Sequence, residues 1–137
     1  MEKEFLAVLT SQYNLAGAAK LAHWNSVGTD FYHFHLLFER VYNMIDEKID
    51  VVAEQARGKS VEITASIFTE VPEIDWDTCQ ELADEILKLV DKLQESLDEL
   101  HKKADDKSEY GILNVVEDIM SDVNSARYLL GSVNSKF

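Results

Sequence analysis

From Thr29 to Arg57 the chain meets neither glycine nor proline, and its 137 residues hold only five glycines and one proline. These are the residues that stop helices and close tight turns, so a chain this poor in them has few places to reverse direction. It has to fold as a few long elements, and the spacing of the apolar residues says which kind. Residues 3–24 carry Phe5, Leu6, Leu9, Tyr13, Ala16 and Leu21 at helical intervals, with Asn25 and Gly28 as a stop. Thr29 or Asp30 caps a second helix, where Phe31, Phe34, Phe38, Val41, Ile45, Ile49 and Val52 recur every three or four residues as far as Gly58. Beyond Pro72, Asp75 serves as N-cap of a third helix marked by Leu82, Ile86, Leu89, Leu93, Leu97 and Leu100 and ending near Lys103. The stretch 104–111, ADDKSEYG, makes a turn. Asp106 and Glu109 have the spacing of a capping box for a fourth helix through Ile112, Val115, Val116, Ile119, Val123, Tyr128 and Leu129.

Between the second and third helices, SVEITASIFTEVPEID reads less plainly. Val61, Ile63, Ala65 and Ile67 alternate as in a strand, yet the stretch is short enough for one or two helical turns, and it is taken as a connector with a small helix. The expectation is an all-α chain forming one domain over residues 1–137, an antiparallel four-helix bundle. Its long second connection lets the middle helices depart from simple up-and-down order.

Composition removes several classes of function. No run of about 18 apolar residues is present, and MEKEFLAVL lacks the basic start and small-residue cleavage site of a secretory signal, so a soluble, cytoplasmic protein with no membrane partner is expected. Cys79 is the single cysteine, which excludes an intrachain disulfide and disfavours a thiolate metal site. A formal net charge of −13 would repel a phosphate backbone but can collect cations, or simply keep the protein soluble.

The chemistry concentrates on the second helix. His35/Glu39 and Asp50/Glu54 are each spaced i, i+4, so each pair presents two donor side chains one turn apart on one face. The pairs are centred about 22 Å apart along the axis, too far to share an ion, yet only about 60° apart around it. If a second copy packs antiparallel about a two-fold axis near residues 44 and 45, His35 and Glu39 of one chain meet Asp50 and Glu54 of the other. Two identical sites then form, each built from both chains. His23, at the end of the first helix, adds an imidazole because only a short turn separates it from the second. Two imidazoles and three carboxylates with no thiolate suit Fe, Mn or Zn, and carboxylates favour Fe(III) over Fe(II). His33 lies about 200° round from His35 and faces elsewhere. The plain alternative is a solvated acidic face with partly buried histidines.

HWNSVG at 23–28, followed in register by His35, Glu39, Asp50 and Glu54, resembles the mini-ferritins known as DNA-protection-during-starvation (Dps) proteins. The resemblance covers essentially the whole chain. It implies a hollow dodecamer with ferroxidase sites at its two-fold interfaces, in which His23, His35 and Glu39 come from one subunit and Asp50 and Glu54 from its mate. It also implies oxidation of Fe(II), typically by hydrogen peroxide, at paired iron positions that zinc can also fill, with the ferric product kept as mineral. By the same resemblance Asp118 and Asp122, i, i+4 partners on the fourth helix, are candidates for an acidic iron pore, with Glu117 behind them. Trp24, beside the first ligand, is either an electron source near the site or a core aromatic. The chain departs from the family in three places: Glu39 stands where Asp is usual, the connector lacks the usual Gly-rich start, and Tyr128 stands near where many relatives carry Trp. The Lys-rich extension used by DNA-binding members is not seen, so direct DNA binding is not expected.

A single-chain di-iron bundle would need Glu-x-x-His, which does not occur. A non-enzymatic adaptor or phosphotransfer-type bundle is the remaining rival, and it has no use for Asp50 and Glu54 in register with His35.

Overall fold

Each apolar stripe becomes a helix. The structure, a computed structural model, describes residues 1–68, 71–135 and 137. Among them lie α1 (Glu2–Asn25), α2 (Phe31–Gly58), α3 (Cys79–Asp106) and α4 (Tyr110–Val133), with one 3-10 turn (Ala65–Phe68) between α2 and α3. No strand occurs among the described residues. The alternating stretch 61–67 is therefore connector carrying the expected short helix, and its continuation through residues 69 and 70 lies outside the described residues.

Side-chain pairs fix the topology. His23 meets His35 across α1 and α2, and Ser11 meets Ser96 across α1 and α3. Lys48 meets Asp118 and Asp122 across α2 and α4, and Arg127 meets Asp91 across α4 and α3. Cys79, which opens α3, lies against the Val27 carbonyl just beyond α1. All four neighbouring pairs run antiparallel, while α2 and α3 sit diagonally and barely touch. The chain can achieve this only by carrying the connector along the length of the bundle, which is why that connection is long. The connector crosses α1 at Gly17, where a Cβ would come within 2.6 Å of a Val71 methyl.

Helix boundaries differ from the sequence expectations at the caps. Thr78, not Asp75, caps α3: its hydroxyl accepts from the Glu81 amide at 3.1 Å, and the Glu81 carboxylate accepts from the Asp77 amide. The sequence Thr-Cys-Gln-Glu is the Thr-x-x-Glu box in plain view. Asp106 is the last residue of α3 rather than a cap, and Glu109 precedes α4, its carboxylate held by Lys59 at 2.6 Å. The helices stop by a device that glycine counting misses. Ser60 and Ser108 adopt left-handed backbone, with φ of 61° and 55°. The amides that follow close back on the helix, Ser60 to the Arg57 carbonyl and Val61 to Ala56, then Ser108 to Asp105 and Glu109 to Ala104. Each end is a Schellman turn in which serine takes the position usually held by glycine.

The core is formed from the leucines of α3 and the β-branched and aromatic residues of α2 and α4, all of Leu82, Ile86, Leu89, Leu93, Leu97 and Leu100 being buried. Burying each such side chain contributes roughly 1.5–3 kcal/mol. Three expected stripe residues stay outside: Leu21 is 41% exposed, Phe31 38% and Tyr128 64%. Their places are taken by Ala18, Ala19 and Ala22 on α1 and by Leu130 on α4. The small α1 residues let α2 and α3 both approach closely.

Candidate metal centre

The first helix ends two residues after His23, so the His23 carbonyl is among the last four of α1, which have no partner within the helix. The His35 ring, entering from the second turn of α2, supplies one: its Nδ1 donates to the His23 carbonyl at 2.8 Å. The return bond is also made, from His23 Nδ1 to the His35 carbonyl at 2.7 Å. A carbonyl oxygen only accepts, so both Nδ1 atoms carry hydrogen. In each neutral ring the lone pair is then on Nε2, and neither Nε2 has a hydrogen-bond partner among the described residues. The two rings stack, with centroids 3.7 Å apart and planes 15° from parallel.

The stack is held on both sides. Phe31 lies against His35 at 4.8 Å, and Tyr42 sets its ring edgewise to His23 at 5.4 Å. Lys20 lies over Tyr42 and pairs with Asp46 at 3.0 Å. The sequence placed Phe31 only in the apolar stripe and did not single out Tyr42, Lys20 or Asp46. Their signal was there, since Tyr42 follows His35 by two helical turns and Lys20 precedes His23 by one, but spacing alone does not mark supports. A backbone-bonded imidazole pair wedged between aromatics is a preorganised pair of nitrogen donors.

Glu39, one turn beyond His35, is half-buried and has no hydrogen bond or ion pair among the described residues. Asp50 and Glu54 stand together on the exposed face of α2. A hydrogen bond that protonated Glu54 donates to the Asp50 carboxylate, and then the Asp50 charge, hold Glu54 above the usual carboxylate range. Two adjacent carboxylates that repel when both are ionised are a natural bridge for a cation. Within one chain the structure joins His23 to His35 and Asp50 to Glu54 but does not join the two sets. Among the described residues no three His, Cys, Asp or Glu side chains converge to hold a metal ion.

His33 is exposed on another face of α2. Trp24 is 66% exposed, which removes the core explanation for it. Asp118 and Asp122 do form a pair, but with Lys48 between them at 2.7 and 2.9 Å, which lifts the lysine above its ordinary range. Glu117 instead accepts from His101 of α3 at 2.8 Å. Among the described residues no helix is long and apolar enough to cross a membrane.

An antiparallel bundle with a full-length crossover and a reciprocally bonded histidine pair where its first two helices meet is a ferritin-type arrangement. The ferritin-like domain pattern of the Ferritin family matches residues 3–136, and the chain belongs to that family. Its fold is similar to that of Dps from Thermosynechococcus elongatus, with a TM-score of 0.88 at 17% identity over 96% of this chain and 88% of that one. It is also similar to Dps from Microbacterium arborescens in the high iron form, with a TM-score of 0.85 at 21% identity over 97% and 91% of the two chains. No curated protein sequence matches the chain.

Proposed function

We propose that this protein stores iron and oxidises it, taking Fe(II) as substrate at sites shared between two chains. His23, His35 and Glu39 come from one chain, and Asp50 and Glu54 from its antiparallel neighbour. The observation that carries this reading is the reciprocal His23–His35 bonding, which leaves the Nε2 lone pairs of two stacked rings without a partner among the described residues. Two nitrogens, a terminal carboxylate and a bridging carboxylate pair suit two ferrous ions, and the oxygen-rich set favours their ferric form. Each ion gives up one electron, and hydrogen peroxide takes both together with two protons as its O–O bond breaks to give two waters. The two-electron step releases no hydroxyl radical. Zinc accepts the same donors and competes for them.

In this reading the chain assembles as a hollow dodecamer holding ferric mineral and acts in the cytoplasm. Asp118 and Asp122 belong to the iron path, where an arriving cation must displace the Lys48 ammonium. The charge of −13 opposes direct binding to DNA at neutral pH.

Mixing two inactive variants tests the shared site. His35→Ala and Asp50→Ala should each slow peroxide-driven Fe(II) oxidation sharply. Chains unfolded together and reassembled should recover part of the rate, because in a mixed pair one of the two sites keeps His35 and Asp50 both intact. Size exclusion should give a particle of about twelve chains. No recovery on mixing, with the particle intact, would rule out a site built from two chains.

A further inference from the structure

The outer face of α2 carries its charge in two blocks. The N-terminal half holds Arg40, with Glu39 the one acid, while the C-terminal half holds Asp46, Glu47, Asp50 and Glu54, its two cations being Lys48, turned to α4, and Arg57, bonded to the Val61 carbonyl. Asp46 is engaged by Lys20. Arg40 and Glu47 are both exposed, and neither has an ion pair or hydrogen bond among the described residues. Seven residues apart on one helix, they differ by only about 20° in direction and are about 10 Å apart along the axis. Both stand about 80° round the helix from the mean direction of His35, Glu39, Asp50 and Glu54, on the flank where Val51 and Lys48 face α4.

We infer that Arg40 pairs with the partner's Glu47 and Glu47 with the partner's Arg40, forming a double salt clasp astride the two-fold axis between the two metal sites. The inference rests on the antiparallel α2 pairing proposed above. With that axis between residues 44 and 45, the partner's Glu47 comes to the level of residue 42, about 3 Å along the axis from Arg40. A two-fold that exchanges antiparallel helices keeps the same flank of each on the same side, so the guanidinium and the carboxylate approach along one edge of the seam. Flanking charges select partner and orientation in helix pairs generally. A parallel pairing would set Arg40 beside the partner's Arg40, and a slip of one turn in the direction that widens the offset would separate each ion pair by about 8 Å along the axis.

The clasp meets a charge problem created by the site. Each shared site gathers three carboxylates before any cation arrives, and the side-by-side Asp50 and Glu54 already repel within one chain. Arg40 brings positive charge to the seam without being a ligand, and so holds the two halves in register while they are empty.

Charge reversal on chelator-treated protein at low salt tests this, with sedimentation as the readout. Arg40→Glu and Glu47→Arg each turn two attractions into two repulsions and should weaken the two-fold contact about tenfold. Equimolar mixing of the two variants should restore the wild-type particle, because every clasp in a mixed pair joins opposite charges. The double variant Arg40→Glu/Glu47→Arg should assemble unaided. Helix content by circular dichroism should be unchanged throughout, since both side chains lie outside the core. Single variants that assemble as tightly as wild type overturn the clasp, as does failure of both the mixture and the double variant to recover. The shared site has its own readout in the mixed His35→Ala and Asp50→Ala chains. Recovery there with no response to charge reversal removes the clasp alone, whereas a wild-type chain that stays monomeric removes both.

Discussion

Replacing the stacked histidines by alanine, singly and together, should expose the bonding that aims them. His23→Ala removes one Nδ1–H bond, one stacking contact and a buried ring, but leaves the His23 carbonyl to accept from His35. A neutral bond of this kind contributes about 1 kcal/mol and a stacked ring pair about 0.5–1.5 kcal/mol beyond its area. With the ring's own burial the single change should cost about 2–3 kcal/mol. His35→Ala, at a half-buried position, should cost about 1.5–2 kcal/mol. The stack is lost once in the double variant and counted twice in the sum of the singles, so the double should fall short of additivity by about 1 kcal/mol. Urea unfolding of chelated protein at one fixed concentration measures this while holding assembly constant. The same bonds make the Nδ1–H form of each ring about fivefold favoured or better, a ratio that long-range proton–nitrogen correlation spectra read directly. Additivity within about 0.3 kcal/mol, or a majority of the Nε2–H form in either ring, would refute the claim that the backbone presents two free Nε2 donors.

Because Asp50 raises Glu54, the folded chain holds a proton that the unfolded chain releases at lower pH. That linkage favours folding below the ordinary Glu value and is lost as pH rises through the raised one, while iron uptake should improve over the same window as Glu54 loses its proton. Carbon NMR of the carboxyls should show Asp50→Ala returning Glu54 towards the ordinary range. Gly17→Ala should destabilise by about 1 kcal/mol in chemical denaturation despite alanine's better helix propensity, because its Cβ meets Val71, and adding Val71→Ala should recover at least half of that loss. Ser60→Gly and Ser108→Gly, at left-handed positions, should each stabilise by about 0.5–1 kcal/mol and raise the thermal midpoint by about 2–4 °C, and no gain at either would argue against those helix ends.

The helices were legible in the chain because a helix is a local object: one stripe of Leu82 to Leu100 and the absence of glycine from 29 to 57 suffice to require α3 and α2. The ends were less legible. Thr78 shares its capping chemistry with Asp75, and Ser60 and Ser108 hold a conformation that composition assigns to glycine, so only the closing backbone bonds distinguish them. Leu21, Phe31 and Tyr128 fit the helical period yet stay exposed, because the period fixes a direction on a helix and not which directions other helices cover.

The sequence by itself determined which residues can act together along one helix, since 1.5 Å of rise and 100° of turn set His35 with Glu39 and Asp50 with Glu54 whatever surrounds them. Tertiary structure alone decided what depends on two elements meeting. Packing α1 against α2 brought the unbonded carbonyl of His23 within reach of His35 and so chose the tautomer of both rings. It also set Lys48 between Asp118 and Asp122, which the sequence had offered as a bare acidic pair. Those outcomes rest on contacts between residues far apart in the chain, whose partners no local periodicity specifies.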